Sequence, residues 1–188
     1  STAQGAFNAA AWAAHQGVPA PVLYVCEDNG IGISVKTPSG WTGRNFAERH
    51  GLAYFAANGL DLAEGYAQVR AAVDFCRQRR RPVFLHLRVA RLMGHAGTDF
   101  EVEYRAIQEL LAAEAQDPLL RSADLALTAG VLTSTTLTAL YEDLRKRCIE
   151  AAEKADTRPR LLGREQVMAP LAPYTPAAVL AEACRADF

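Results

Sequence analysis

Two short stretches carry residue types suited to chemistry. The first, YVCEDNGIGIS from Tyr24 to Ser34, turns from apolar to polar at Glu27, Asp28 and Asn29 and then becomes glycine-rich. The side-chain amide oxygen of Asn29 is a neutral, hard donor of the kind Mg2+ accepts. That ion takes about six oxygens in octahedral geometry and usually keeps waters and substrate phosphates among them. An asparagine at a strand end, with the Ile31 carbonyl two residues on, can fill two of those positions. Gly30 and Gly32 let the backbone turn sharply and approach a ligand closely. The same EDNG is also ordinary turn chemistry, and spacing alone does not decide between the two.

The second stretch, RLMGHAGTDFEVEYR from Arg91 to Arg105, sets His95 between Gly94 and Ala96. An imidazole with an ordinary pKa near ~6.5 suits proton transfer at neutral pH; a loop histidine that only packs or hydrogen-bonds is the blander reading. Arg91 can pair bidentately with a carboxylate or a phosphate, or with Asp99 across the loop. Asp99, Tyr104 and Arg105 read as residues that order the loop, and His15, His50 and His86 as structural.

These loops need elements to hold them. Residues 3–16 are alanine-rich with Phe7 and Trp12, which predicts a buried helix capped at Ser1 or Thr2. PVLYVCE (21–27) is a short apolar run and predicts a parallel strand covered on both faces. A long glycine-rich loop (28–45) follows, then a short helix in FAERHG ending at Gly51. LAYFAANG (52–59) predicts a second strand, and Asp61 a cap for a helix over 62–79. PVFLHLRVARL (82–92) is a third strand. A helix near 104–115, Asp117–Pro118, and a long amphipathic helix over 130–156 starting at Thr133 or Ser134 complete the pattern. The stretch 157–188, with MAPLAP, reads as a linker carrying one short helix at its end. Alternating strands and helices predict an α/β fold with a mostly parallel sheet and helices on both faces. Ligands of such sheets sit outside the carboxyl ends of the strands, so both loops belong on one edge.

Composition narrows the function class. Among 188 residues half are hydrophobic and 22% charged, with a formal net charge of −1. No general field draws nucleic acid or an anionic membrane, and the arginines of RQRRR (77–81) suit a solvated helix end. Four scattered cysteines form neither a disulfide framework nor a zinc motif. No apolar run reaches the ~20 residues that span a bilayer. A cytoplasmic location is the expectation.

CEDNGIGIS resembles the second half of the thiamine diphosphate motif, which begins with Gly-Asp-Gly and ends in a double asparagine. More narrowly it resembles the α subunit of the thiamine-dependent first component of 2-oxo acid dehydrogenase complexes, which reads Glu-Asn-Asn-Gly-Tyr-Gly-Ile-Ser here. Asp28 replaces the first asparagine and Ile31 the tyrosine. Arg91, Gly94, His95, Asp99, Tyr104 and Arg105 match the family's Arg-Tyr-x-Gly-His-Ser-x-Ser-Asp and its following Tyr-Arg without a gap. Asp117–Pro118 has its counterpart, and NGLD (58–61) is similar to the family's Asp-Gly-Asn-Asp. The resemblance covers most of residues 5–156. His86 stands where the family more often has a glutamate, and Ala96 where mammalian relatives carry a regulatory serine.

The resemblance implies thiamine diphosphate and Mg2+ as cofactors, with Asn29 and the Ile31 carbonyl as metal ligands. Gly30, Arg91 and His95 would line the cofactor, and His95 would serve the handling of the 2-oxo acid and the reductive acylation of lipoamide. It implies oxidative decarboxylation, with branched-chain acids favoured over pyruvate. It also implies a β subunit, or a fused β part, that completes the site, a lipoyl domain of the acyltransferase component, and an α2β2-type assembly. Residues 1–156 are expected to form a thiamine diphosphate-binding α/β domain lacking its N-terminal part, because the Gly-Asp-Gly half should lie just before Ser1. A chain cut from something longer in this way is expected to be inactive alone. Rival readings are the α subunit of acetoin dehydrogenase, and a non-catalytic α/β binding or assembly module with EDNG as a plain turn.

Overall fold

The computed structural model describes residues 4–169 and 175–185. The cap expected at Ser1 or Thr2 and most of MAPLAP lie outside them. The described chain falls into two compact units, 1–126 and 127–188; the division at 156 follows sequence composition instead.

The first unit is an α/β layer structure. Strands β1 (Leu23–Asp28), β2 (Ala53–Asn58) and β3 (Val83–Arg88) pair in the order β1-β3-β2, all parallel. The central strand carries the deepest side chains, with Val83, Phe84 and Leu85 nearly inaccessible. Side chains alternate across a sheet, so odd and even positions of β3 build two different cores. Val83 and Leu85 pack with Ala72 and Cys76 of α3 (Leu62–Arg79). Small residues at 72 and 76 let the helix backbone come close to the sheet. Truncating Leu85 to alanine there would cost about 2–5 kcal/mol. Phe84 faces the other way, against Phe7 of α1 (Gln4–His15) and Phe46 of α2 (Trp41–Phe46). The rings of Phe46 and Phe84 stack with centroids 4.0 Å apart, and Phe7 meets Phe46 edge-on at 5.0 Å. Helices thus cover both faces, as expected.

Three expectations need correction. β1 is not covered on both faces in this chain: Val25 is 54% exposed. It is an edge strand, and α3 lies chiefly over β2 and β3, reaching β1 at Leu23. Nor is α1 buried: it turns in Phe7 and Ala10 while Trp12 is 67% exposed. Its alanines make a good helix whatever surrounds them, so they do not report burial. The short helix lies at Trp41–Phe46 and not within FAERHG. Gly40, at φ 70°, starts it early, and the Ala47 N–H closes it on the Gly43 carbonyl.

The other elements follow local signals. The Asp61 side chain accepts from the Glu64 N–H at 2.9 Å and caps α3 as predicted. After β3, the chain makes one 3-10 turn (Glu101–Glu103), then α4 (Ile107–Glu114) and α5 (Pro118–Thr128). The sequence reading leaves α5 unassigned beyond its Asp117–Pro118 start, where Asp117 Oδ1 accepts from the Leu119 N–H at 2.8 Å. In the second unit α6 (Ser134–Asp156) begins with a reciprocal cap between Thr133 and Thr136. Two short helices follow, α7 (Arg164–Met168) and α8 (Pro176–Ala183), where one was predicted.

Candidate active site at the carboxyl edge of the sheet

All three strands end on one row: Asp28, Arg88 and Asn58 are partners in the pairing register. The loops after β1 and β3 therefore leave the same edge, as predicted.

The first loop is tied by its own side chains. Asp28 Oδ1 accepts from the Gly30 N–H at 2.9 Å, and Asn29 Oδ1 from the Ile31 N–H at 3.0 Å. Gly30 takes φ 74°, a conformation most side chains resist. Its carbonyl accepts from the Thr37 N–H at 2.9 Å, and Gly32 N–H donates to the Val35 carbonyl at 2.8 Å. The turn reading of EDNG is therefore correct as local structure, and it does not cancel the other reading. An amide oxygen has two lone pairs and only one is used by Ile31. The Ile31 carbonyl accepts none of these hydrogen bonds. Asn29 is exposed and lines a cavity of about 430 Å³ with Asp28, Gly30, Gly40, Thr42 and His86.

The donor chemistry suits Mg2+, since both groups are neutral oxygens. The number does not complete a site: two oxygens stand against the roughly six the ion takes. Among the described residues no cluster of three or more His, Cys, Asp or Glu could hold a metal by itself. The donor chemistry of Asn29 and Ile31 fits part of a magnesium site, which would need about four further ligands.

The second loop is tied by charge. Asp99 Oδ2 accepts from the His95 N–H at 2.6 Å and from the Tyr104 hydroxyl at 2.7 Å. These bonds, the His95 one first, hold the Asp99 carboxyl below the usual range. A Cβ on Gly94 would meet the Asp99 carbonyl oxygen at 2.7 Å, so this approach requires glycine. Glu101 Oε1 accepts from Arg105 and from Arg91, each at 2.7 Å, and both cations keep its carboxyl ionised to lower pH.

Arg91 joins the two loops. One terminal nitrogen donates to the carbonyls of Gly32 and Ile33 at 3.0 and 2.8 Å; the other donates to Glu101 and to the Tyr104 hydroxyl at 2.7 Å. Asp99 stands farther, at 4.0 Å. The Asp99 pairing expected for Arg91 is thus present but long, and the closer partner is Glu101, which the sequence reading did not single out. The terminal nitrogens of Arg91 are spent within the chain, and its Nε is buried without a partner. The His95 side chain is exposed at the loop tip and is not among the residues lining the Asn29 cavity. Asn29, Gly30 and Ile31 are thus brought together, Arg91 is brought under them as a clamp, and His95 stands on the facing loop.

Sequence reasoning missed a third group. The Tyr54 hydroxyl lies 2.7 Å from His86 Nδ1, and His86 Nε2 lies 2.9 Å from Asp28 Oδ2. One residue comes from each strand, on a diagonal of the α1–α2 face. Only Nε2–H can satisfy a carboxylate, so with a neutral ring Nδ1 accepts from Tyr54. Burial pushes the Tyr54 hydroxyl up, with Cys26 and Asp28 adding to it, which keeps it a donor. Burial works against the Asp28 charge as well, yet bonds from Thr42, Gly30 and His86 outweigh it and leave the carboxyl below its usual range. No sequence spacing reveals this chain, because it depends on strand order and register.

A family model described as dehydrogenase E1 component matches residues 1–162. The chain is 27% identical over 147 residues to the mitochondrial pyruvate dehydrogenase E1 component subunit alpha of Dictyostelium discoideum, covering 77% of this chain and 39% of that protein. It is 27% identical over 142 residues to the 2-oxoisovalerate dehydrogenase subunit alpha of Bacillus subtilis, covering 74% and 43%. It is 30% identical over 145 residues to the pyruvate dehydrogenase E1 component subunit alpha of Zymomonas mobilis, covering 74% and 40%. The chain thus spans about two fifths of the length of these relatives.

Proposed function

The chain belongs to the dehydrogenase E1 component family, and from that premise we propose that it forms part of a thiamine diphosphate- and Mg2+-dependent 2-oxo acid dehydrogenase. The observation that carries the reading is the Asn29–Ile31 turn, opened toward a cavity at the same sheet edge as the His95 loop. Thiamine diphosphate, when bound, supplies the electron sink for decarboxylation of a 2-oxo acid. The chain's own tasks are local. Asn29 and the Ile31 carbonyl would give two oxygens to the metal. Gly30 lets the backbone come close. Arg91 fixes the first loop against the second, so that His95 is presented from an ordered base. His95, exposed on the second loop, would hold or move a proton at its imidazole during handling of the 2-oxo acid or acylation of lipoamide.

The partners follow from the same premise: a β subunit or fused β part that supplies the rest of the site, and a lipoyl domain of the acyltransferase component, in an α2β2-type assembly. A cytoplasmic location belongs to the same proposal. Among the described residues no helix is long and apolar enough to cross a membrane. The chain alone, with two of the metal's oxygens, is inactive in this reading. Branched-chain 2-oxo acids are the favoured substrates, on overall resemblance; relatives named for pyruvate and for 2-oxoisovalerate both match.

The test is turnover of the complete protein on pyruvate, branched-chain 2-oxo acids and acetoin, with Asn29→Ala and His95→Ala beside it. Decarboxylation coupled to lipoamide acylation supports the reading. Activity on acetoin alone would move it to acetoin dehydrogenase. Full turnover in both variants would sink the enzymatic assignment of these residues.

A further inference from the structure

Asp28 and His86 are two positions where the sequence departs from the family it resembles, and nothing in the sequence connects them. The fold does. They lie 58 positions apart, yet the His86 ring donates to Asp28 Oδ2 at 2.9 Å. Asp28 is where β1 ends, and its other oxygen, Oδ1, accepts from the Gly30 N–H. One carboxylate therefore has two duties. Oδ2 is held by the central strand, and Oδ1 sets the turn that carries Asn29.

The ring of His86 is itself held from behind by the Tyr54 hydroxyl at 2.7 Å. The side chains of His86 and Asp28 are only 17% and 21% exposed, so the contact is largely shielded from water. Each member of the chain has the donor or acceptor the next one needs. Tyr54 gives to Nδ1, Nε2–H gives to Asp28, and Asp28 receives Gly30. The three residues come from β2, β3 and β1 in turn, which makes the chain a brace across the whole sheet.

We propose that His86, backed by Tyr54, is a positioning residue for the metal-binding turn: it fixes the Asp28 carboxylate and thereby the direction of the Asn29 amide. The inference rests on the function proposed above and deepens it. Groups that orient a metal's ligands commonly change its affinity by about 10–100-fold when removed. His86 acts here one residue further back, through Asp28 and the turn, so the lower end of that range applies.

The test uses the complete protein with its partner subunit, Mn2+ in place of Mg2+, and thiamine diphosphate present. Bound Mn2+ is read by its paramagnetic resonance, independently of turnover. His86→Leu is expected to raise half-saturation by Mn2+ by about tenfold. His86→Gln keeps a donor facing Asp28 and should stay close to wild type. Tyr54→Phe keeps the ring and loses only the donor, so it should fall between the two. His86→Glu sets a second carboxylate against Asp28 and should bind weakly, and adding Asp28→Asn should restore binding by removing the like charge.

His86→Leu binding as wild type would overturn the proposal. So would His86→Gln binding as weakly as His86→Leu, or a double variant no better than His86→Glu alone. A wild-type protein that binds neither Mn2+ nor thiamine diphosphate overturns the proposed function along with it. Wild-type binding without sensitivity at His86 overturns this inference only.

Discussion

The two loops at the carboxyl edge are fastened by different physics. The loop after β1 is shaped by turns. Short side chains fold back on their own backbone, glycine takes φ 74°, and the hydrogen bonds are mostly between neighbours. The loop after β3 is shaped by ion pairs. Asp99, Glu101, Tyr104, Arg105 and Arg91 form one connected network over a poorly hydrated base. Turn chemistry leaves oxygen atoms pointing outward at modest cost, which would suit the metal-receiving role proposed for this loop. Charged networks spend their groups on each other, which suits a loop that must hold one side chain steady. Arg91 is where the two designs meet.

The sharpest way to test this division is at the residue each loop presents. His95→Ala should lower turnover by about 10²–10⁴-fold, the range for loss of a general acid or base, while thiamine diphosphate binding stays near wild type. If cofactor binding falls equally, the loops do not divide their work. Asn29→Ala should do the reverse. It should raise half-saturation by metal at least about tenfold, with recovery of turnover at high Mg2+.

Arg91→Met tests the joint itself. It removes the donors to Gly32, Ile33, Glu101 and Tyr104 together. Limited proteolysis within 93–105 should speed up by about tenfold, since local opening follows the loss of charged hydrogen bonds. Unchanged cleavage would mean the second loop holds without its clamp.

Acid should separate the loops more gently. Asp99 and Glu101 have folded pKa values below their usual ones. A group depressed on folding contributes fully above its unfolded value, about 4, and loses that contribution as the pH falls through the lower folded value. Hydrogen exchange at the His95 amide should therefore be flat above pH ~5 and lose protection below ~4. Asp28 shifts in the same direction but is one group against two, so the first loop should respond less steeply. At the bottom of the scale stands Lys36–Glu109, 2.6 Å apart but with side chains 69% and 42% exposed. Lys36→Ala should leave the melting temperature unchanged, because exposed pairs contribute little.

What the sequence made legible follows from how local each signal is. Asp61 and Thr133 cap helices through bonds that span three residues, so type and spacing suffice. β3 stops at Arg88, short of the 82–92 expected because the apolar run continues past the last paired row, whereas the end of β1 was readable because EDNG breaks its apolar run. Burial was not: Val25 and Trp12 look like core residues and are exposed, because alternation and alanine content say which side faces inward but not what stands there. The Glu101 partner of Arg91 was not singled out. Tyr54, His86 and Asp28 left no trace as a group, since their meeting requires β3 to lie between β1 and β2. What the fold adds at His86 is its contact with Asp28, 58 positions away.

The in-register pairing of the three strands makes that pair a matter of parity. Leu23, Val83 and Ala53 share a row, and each later row follows in step. A single inserted or deleted residue between Val83 and His86 would act like a frameshift confined to one strand. It would carry His86 through the sheet into the dry layer under Ala72 and Cys76 and bring an aliphatic side chain to face Asp28. A substitution in β3 disturbs one face at one row, whereas a one-residue change in its length exchanges the two faces at every later row. Over those few residues the chain is read by counting, and the count must stay even.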